Sequence, residues 1–133
     1  MKKAITILTV CLLAIAGMQT VQAQTKEELE RQIENIIRES DKIMQLEMTP
    51  CQIAWKERMG DGDEPYFITQ LDLRGAAWLG TDHSVKSDKQ SVVTYNSYSD
   101  RTMQLDEFVY RLSEKDNQMF ADKLNALARF CEE

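Results

Sequence analysis

Histidine is almost missing from this sequence: His83 stands alone among 133 residues. Catalysis by a nucleophile with a neighbouring base therefore has little to work with, and no GxSxG is present. Asp82, His83 and Ser84 are adjacent, but a triad needs side chains that converge in space rather than along the chain. They fall in Thr81–Ser91, a polar stretch without periodicity that reads as a mobile loop. Cysteine is also scarce. The three cysteines form no CxxC and lie beside no histidine, which disfavours thiol exchange and zinc binding. Five scattered glycines make neither GxGxxG nor GxxxxGK, so no phosphate-cradling loop is expected. Positive charge is short too: 16 Lys and Arg face 22 Asp and Glu, with no basic patch interleaved with aromatics. Nucleic acid and anionic lipid are poor partners for such a chain. Asp61, Asp63 and Glu64 crowd into four residues, but without the alternating oxygens and distant bidentate Glu of a calcium loop. They read as a solvated acidic turn. No cofactor or metal is expected.

Long apolar runs are confined to the beginning. Met1-Lys2-Lys3 is a short basic segment, Ala4–Ala16 is apolar, and Val21-Gln22-Ala23 precedes Gln24. This is the grammar of a secretory signal peptide, with cleavage expected between Ala23 and Gln24. The apolar run falls short of the roughly 18–20 residues a bilayer needs, so no stable membrane anchor is expected. Cys11 follows Val10 inside the apolar run, which argues against lipidation. With residues 1–23 set aside, residues 24–133 suffice for one compact domain. Losing Lys2 and Lys3 leaves 14 basic residues against 22 acidic ones, a net charge near −8. Cys51 and Cys131 remain, and an even count in an oxidising compartment predicts a disulfide between them. The expected location is exported, periplasmic or secreted.

The clearest folded element is Cys51–Arg74. Cys51, Ile53, Trp55 and Met59 fall on one face of the first arm, with Gln52, Lys56 and Arg58 on the other. Phe67, Leu71 and Leu73 alternate with Gln70, Asp72 and Arg74 on the second arm, and Gly60–Pro65 is turn chemistry. A β-hairpin follows. Before it, Thr25 and Glu28 form a capping box, and Leu29, Ile33, Ile36, Ile37, Ile43 and Met44 recur at helical spacing. The spacing predicts a helix of about six turns, closed by Pro50. Gly75–Gly80 reads equally as a continuation of the second arm past a bulge or as a separate short strand. Val92–Tyr98 reads as a third strand of undecided parity, since Val92 and Val93 compete for the core. Leu105, Phe108, Val109 and Leu112 predict a short helix over Met103–Leu112. Ser113 then caps a terminal helix carrying Met119, Phe120, Leu124, Leu127, Ala128 and Cys131.

The expected fold is therefore α+β: a small antiparallel sheet of three to four strands, with the long N-terminal helix and the C-terminal helices on one face. The expected function is that of an exported, non-enzymatic module that binds another protein or a small ligand. A hydrolase with dispersed carboxylates and a structural component of the cell envelope are the alternatives. If helices cover one sheet face, the other presents Tyr66, Ile68 and Gln70 beside Ala54 and Lys56, joined by Tyr95 or Tyr98 according to parity. With Tyr98 taken as that member, these residues form the candidate partner surface.

Overall fold

The computed structural model describes residues 24–109 and 114–131. The expected leader through Ala23, the proposed cap Ser113 and residues 110–112 lie outside them. The fold is α+β, with two antiparallel sheets in place of the single small one expected. The larger has five strands in the order β1-β2-β3-β6-β7: Ile43–Met48, Gln52–Arg58, Tyr66–Asp72, Val92–Asn96 and Arg101–Leu105. The smaller has the order β4-β5-β8: Trp78–Gly80, Val85–Ser87 and Glu107–Phe108. Helix α1 spans Lys26–Arg38 and helix α2 spans Glu114–Cys131.

Thr25 caps the helix, its Oγ1 accepting from the Glu28 N–H at 3.1 Å, but the Glu28 side chain does not return the bond to the Thr25 amide, so half of the expected capping box forms. Leu29, Ile33, Ile36 and Ile37 line the buried stripe of α1. The helix then stops two turns early. Glu39 and Ser40 donate to the carbonyls of Ile36 and Ile37, three residues back, which tightens the last turn. Lys42 donates to Ser40 Oγ as the chain turns out of the helix. The second half of the expected helix is β1, an edge strand paired antiparallel to β2. Leu46 and Met48 pack against the core while Gln45 and Glu47 stay exposed, a period of two that replaces the helical one.

The hairpin of β2 and β3 keeps regular register from Gln52↔Asp72 to Arg58↔Tyr66. Ile53, Trp55, Leu71 and Leu73 are buried. Met59 lies beyond the strand and donates its N–H to the Pro65 carbonyl at the turn. Between β3 and β6 the chain leaves the large sheet to build β4 and β5. Residues 78–80 pair with β5 in the second sheet, which makes them a separate strand, with Trp78 buried and Leu79 exposed. Thr81–Ser91 is no structureless loop: it contains β5, whose Val85 is fully buried. The helix expected from Met103 is likewise absent, and β7 and β8 occupy its described part. Among its described apolar residues Phe108 alone is buried deeply, whereas Val109 is exposed.

One core joins these elements. Phe108 meets the rings of Trp55, Trp78 and Phe120 edge-on, at centroid distances of 5.6, 6.1 and 5.5 Å. Such pairs add about 0.5–1.5 kcal/mol each beyond the area they bury. Ile53, Leu71 and Val92 of the large sheet, the α1 stripe, and Leu124 and Leu127 of α2 complete the cluster. Cys51 and Cys131 form a disulfide, with Cα atoms 4.8 Å apart.

The outer edge of β4 is closed by side chains of α2. Asn125 accepts from the Trp78 N–H and donates to the Trp78 carbonyl, both at 2.8 Å. One amide thus does what a neighbouring strand would do, and an unpaired edge is avoided. Asn125→Ala is expected to cost about 2 kcal/mol in urea denaturation, since both backbone groups lose their partners. A change below about 0.5 kcal/mol would mean that water replaces the amide without penalty.

Candidate interaction face

Alternation along each strand gives the large sheet two faces. Ile53, Trp55, Leu71 and Val92 take one face into the core. The register brings Ala54, Lys56, Tyr66, Ile68, Gln70, Val93 and Tyr95 together on the other. None of these seven belongs to the core cluster, and all are half-exposed. Lys56 pairs with Ile68 and Ile68 with Tyr95, so an aliphatic side chain sits between a cation and an aromatic ring.

The aromatic end of this face is held by local bonds. Lys56 Nζ lies 4.1 Å from the Tyr66 ring centroid, a cation–π contact worth about 0.5–1 kcal/mol where exposed. The Tyr66 and Tyr95 rings are 6.2 Å apart, tilted by 50°. Tyr95 Oη donates to Asp100 Oδ1 at 2.9 Å, and this bond to a carboxylate raises the phenol above the ordinary tyrosine value. The backbone of Tyr66 donates to Ser97 Oγ at 2.7 Å. Arg58 is turned to the turns at its side, donating to the carbonyls of Asp61 and Asp41.

The other end of the face sinks into a depression of about 320 Å³. Gln52, Gln70, Asp72, Arg74, Val93 and Gln104 line it together with Cys51, Gln90 and Ser91. Gln104 Nε2 donates to the Gln90 carbonyl at 2.9 Å, and Asp72 Oδ1 accepts from the Arg74 N–H at 3.1 Å.

Tyr66, Ile68 and Gln70 thus share one face, as alternation expects. Tyr98 does not join them. It lies past the end of β6 in the turn to β7 and is 83% exposed. Asn96 Oδ1 accepts from the N–H groups of Tyr98 and Ser99, and Asp100 adopts a positive φ of 53°. These features turn the chain before Tyr98 can continue the strand. Tyr95 takes the aromatic place, because Val92 is the valine that enters the core. Sequence reasoning missed Gln104, since a helix was expected to begin at Met103.

Outside this face the catalytic candidates diverge. His83 is exposed and pairs with Asp82 at 3.2 Å, whereas Ser84 is buried and donates to Glu107 at 2.8 Å. Asp61, Asp63 and Glu64 are all exposed. Among the described residues no group of three or more His, Cys, Asp or Glu is placed to hold a metal ion, and no helix is long and apolar enough to cross a membrane. Gln24, beside the expected cleavage point, lines an open cleft of about 730 Å³ with Gln118, Met119, Asp122 and Lys123. Comparison with protein-family models, with curated proteins and with solved structures finds no match for this chain.

Proposed function

We propose that this chain is an exported, non-enzymatic binding module whose contact surface is the open face of the five-stranded sheet. The observation that carries the reading is the continuous patch of Lys56, Tyr66, Ile68 and Tyr95, which contributes nothing to the core. Tyrosines fixed on a sheet offer contact area at small entropic cost, and tyrosine is enriched at interfaces. The disulfide is in keeping with export. Binding is favoured over turnover because the depression beside the patch has one lining carboxylate, Asp72, where glycoside hydrolysis normally uses two.

The test uses the tagged, disulfide-bonded protein as bait in extract from its own source. The parent is expected to retain a bound species that the variant Tyr66→Ala/Ile68→Ser loses. The melting temperature of the variant should fall by no more than a few degrees, since neither side chain supports the core. Retention that survives both changes overturns the reading.

A further inference from the structure

We propose that the depression at the end of the open face is a subsite for a neutral saccharide. The proposal rests on the reading of that face as the contact surface and names its ligand class. Its first support is charge. Asp72 and Arg74 are the two ionisable side chains in the lining and offset one another, while Cys51 is tied up in its disulfide. A ligand of either sign gains little net attraction there, although the chain as a whole is strongly acidic.

The second support is the kind of polar group present. Gln52, Gln70 and Gln104 come from three different strands, β2, β3 and β7, and the open face brings their amides together. An amide offers a carbonyl acceptor and two N–H donors, and a sugar hydroxyl likewise donates and accepts. Among the described residues, the side chains of Gln52 and Gln70 have no hydrogen-bond partner, and the Arg74 guanidinium has no ion pair. Gln104 uses one donor on Gln90 and keeps its carbonyl. The larger cleft beside α2 is the contrast. There Gln118 bonds to Asp122 and Gly80, and Lys123 bonds to Gln32, so its polar groups already serve one another.

The third support is shape. A volume of about 320 Å³ is at the low end of small-ligand clefts, about 300–1,000 Å³, yet ordinary clefts of that kind are mostly apolar. Here Val93 is the single aliphatic lining residue. A peptide would need apolar recesses for alternate side chains, which this lining lacks. A pyranose needs planar polar partners and one apolar contact. Tyr95, two residues beyond Val93 on the same face of β6, stands where a following sugar ring would reach an aromatic surface.

The experiment is a titration of the oxidised protein with neutral oligosaccharides of glucose, mannose, xylose and galactose, in α and β linkage, followed by amide NMR. A uronic-acid oligomer and a neutral hydrophilic peptide serve as comparisons. With at least one neutral sugar, the side-chain amide signals of Gln70 and Gln104 are expected to shift saturably at millimolar concentration. Gln70→Ala and Gln104→Ala should each weaken that binding about tenfold, the loss of roughly one good hydrogen bond. Neither substitution should change the melting temperature by more than a degree or two, because neither side chain packs in the core. The proposal fails if no neutral sugar shifts these signals, if the shifts survive both substitutions, or if the uronic-acid oligomer or the peptide binds more tightly. Such a failure leaves the contact-surface reading standing if Tyr66→Ala/Ile68→Ser still abolishes capture, and removes both readings if it does not.

Discussion

The variant Cys51→Ala/Cys131→Ala is expected to melt about 20 °C below the parent, a loss of about 4.5 kcal/mol. The disulfide joins residues 80 apart, from the start of β2 to the last turn of α2. Closing a loop of that length removes much of the unfolded chain's freedom, and the chain-entropy relation gives the stated figure. Single domains of this size are stable by only about 5–15 kcal/mol, so the bond accounts for a large share. The folded state should change little, because Phe120, Ala121, Leu124 and Leu127 still anchor α2 in the core. The cost therefore falls mainly on the unfolded state. Urea denaturation should show a lower midpoint together with a steeper slope, since the freed chain exposes more surface on unfolding. Reduced parent protein should match the double variant. A drop of less than about 5 °C, with the slope unchanged, would mean that the unfolded chain is already compact around this pair.

The parts of this fold that could be read in advance are those whose signals lie within a few residues. The β2–β3 hairpin is one, since its alternation and its glycine-rich turn are continuous in the chain. The disulfide is another, because Cys51 and Cys131 are the two cysteines outside the expected leader. The overlong helix shows the opposite case. Ile36 and Ile37 stand seven residues from Ile43 and Met44, a spacing that a helix also produces. The deciding signal was the alternation Leu46-Glu47-Met48, and it was outweighed by the helical pattern before it. The second sheet was hidden for a different reason. Its strands are two or three residues long, too short to show a period, and the third of them, β8, pairs with β5 from about twenty residues further along the chain.

The candidate face was legible to the same extent. Tyr66, Ile68 and Gln70 follow from the alternation of one strand. Tyr95 in place of Tyr98 required knowing which of two adjacent valines is buried, and only the packed core decides that. Gln104 required recognising β7, whose Leu105 sits at helical spacing from Phe108 and Val109. The amide-lined depression exists only when β2, β3, β6 and β7 are assembled in that order in space. No single stretch of the chain carries it.

Gly80→Ala is expected to destabilise the protein by about 3 kcal/mol or more, the upper end for an overpacked site. A Cβ on Gly80 would overlap the backbone of Asn117 and Gln118 in α2. A side-chain obstacle can rotate aside, but a helical backbone moves only with its helix. That helix is fastened to β4 and the residue beyond it at three points. Gln118 Oε1 accepts from the Gly80 N–H, Asn117 Nδ2 donates to the Thr81 carbonyl, and Asn125 brackets Trp78. Making room for a methyl group strains all three and opens the packing of Trp78 and Phe120 against Phe108. Two other glycines isolate the cause. Gly75 has a positive φ of 61°, and a Cβ there would meet only the flexible end of Lys89. Gly75→Ala should therefore cost about 1 kcal/mol through backbone strain. Gly60 has no atom within 4 Å of an added Cβ, so Gly60→Ala should be neutral or slightly stabilising. Gly80 shows no positive φ, which leaves the closeness of the helix as the reason for glycine at that position. Urea denaturation of the three variants should give the order Gly80→Ala, then Gly75→Ala, then Gly60→Ala, from most to least destabilised. If Gly80→Ala ranks with Gly60→Ala, α2 does not ride on β4 as closely as this packing requires, and the bonds from Asn117, Gln118 and Asn125 cannot all hold at once.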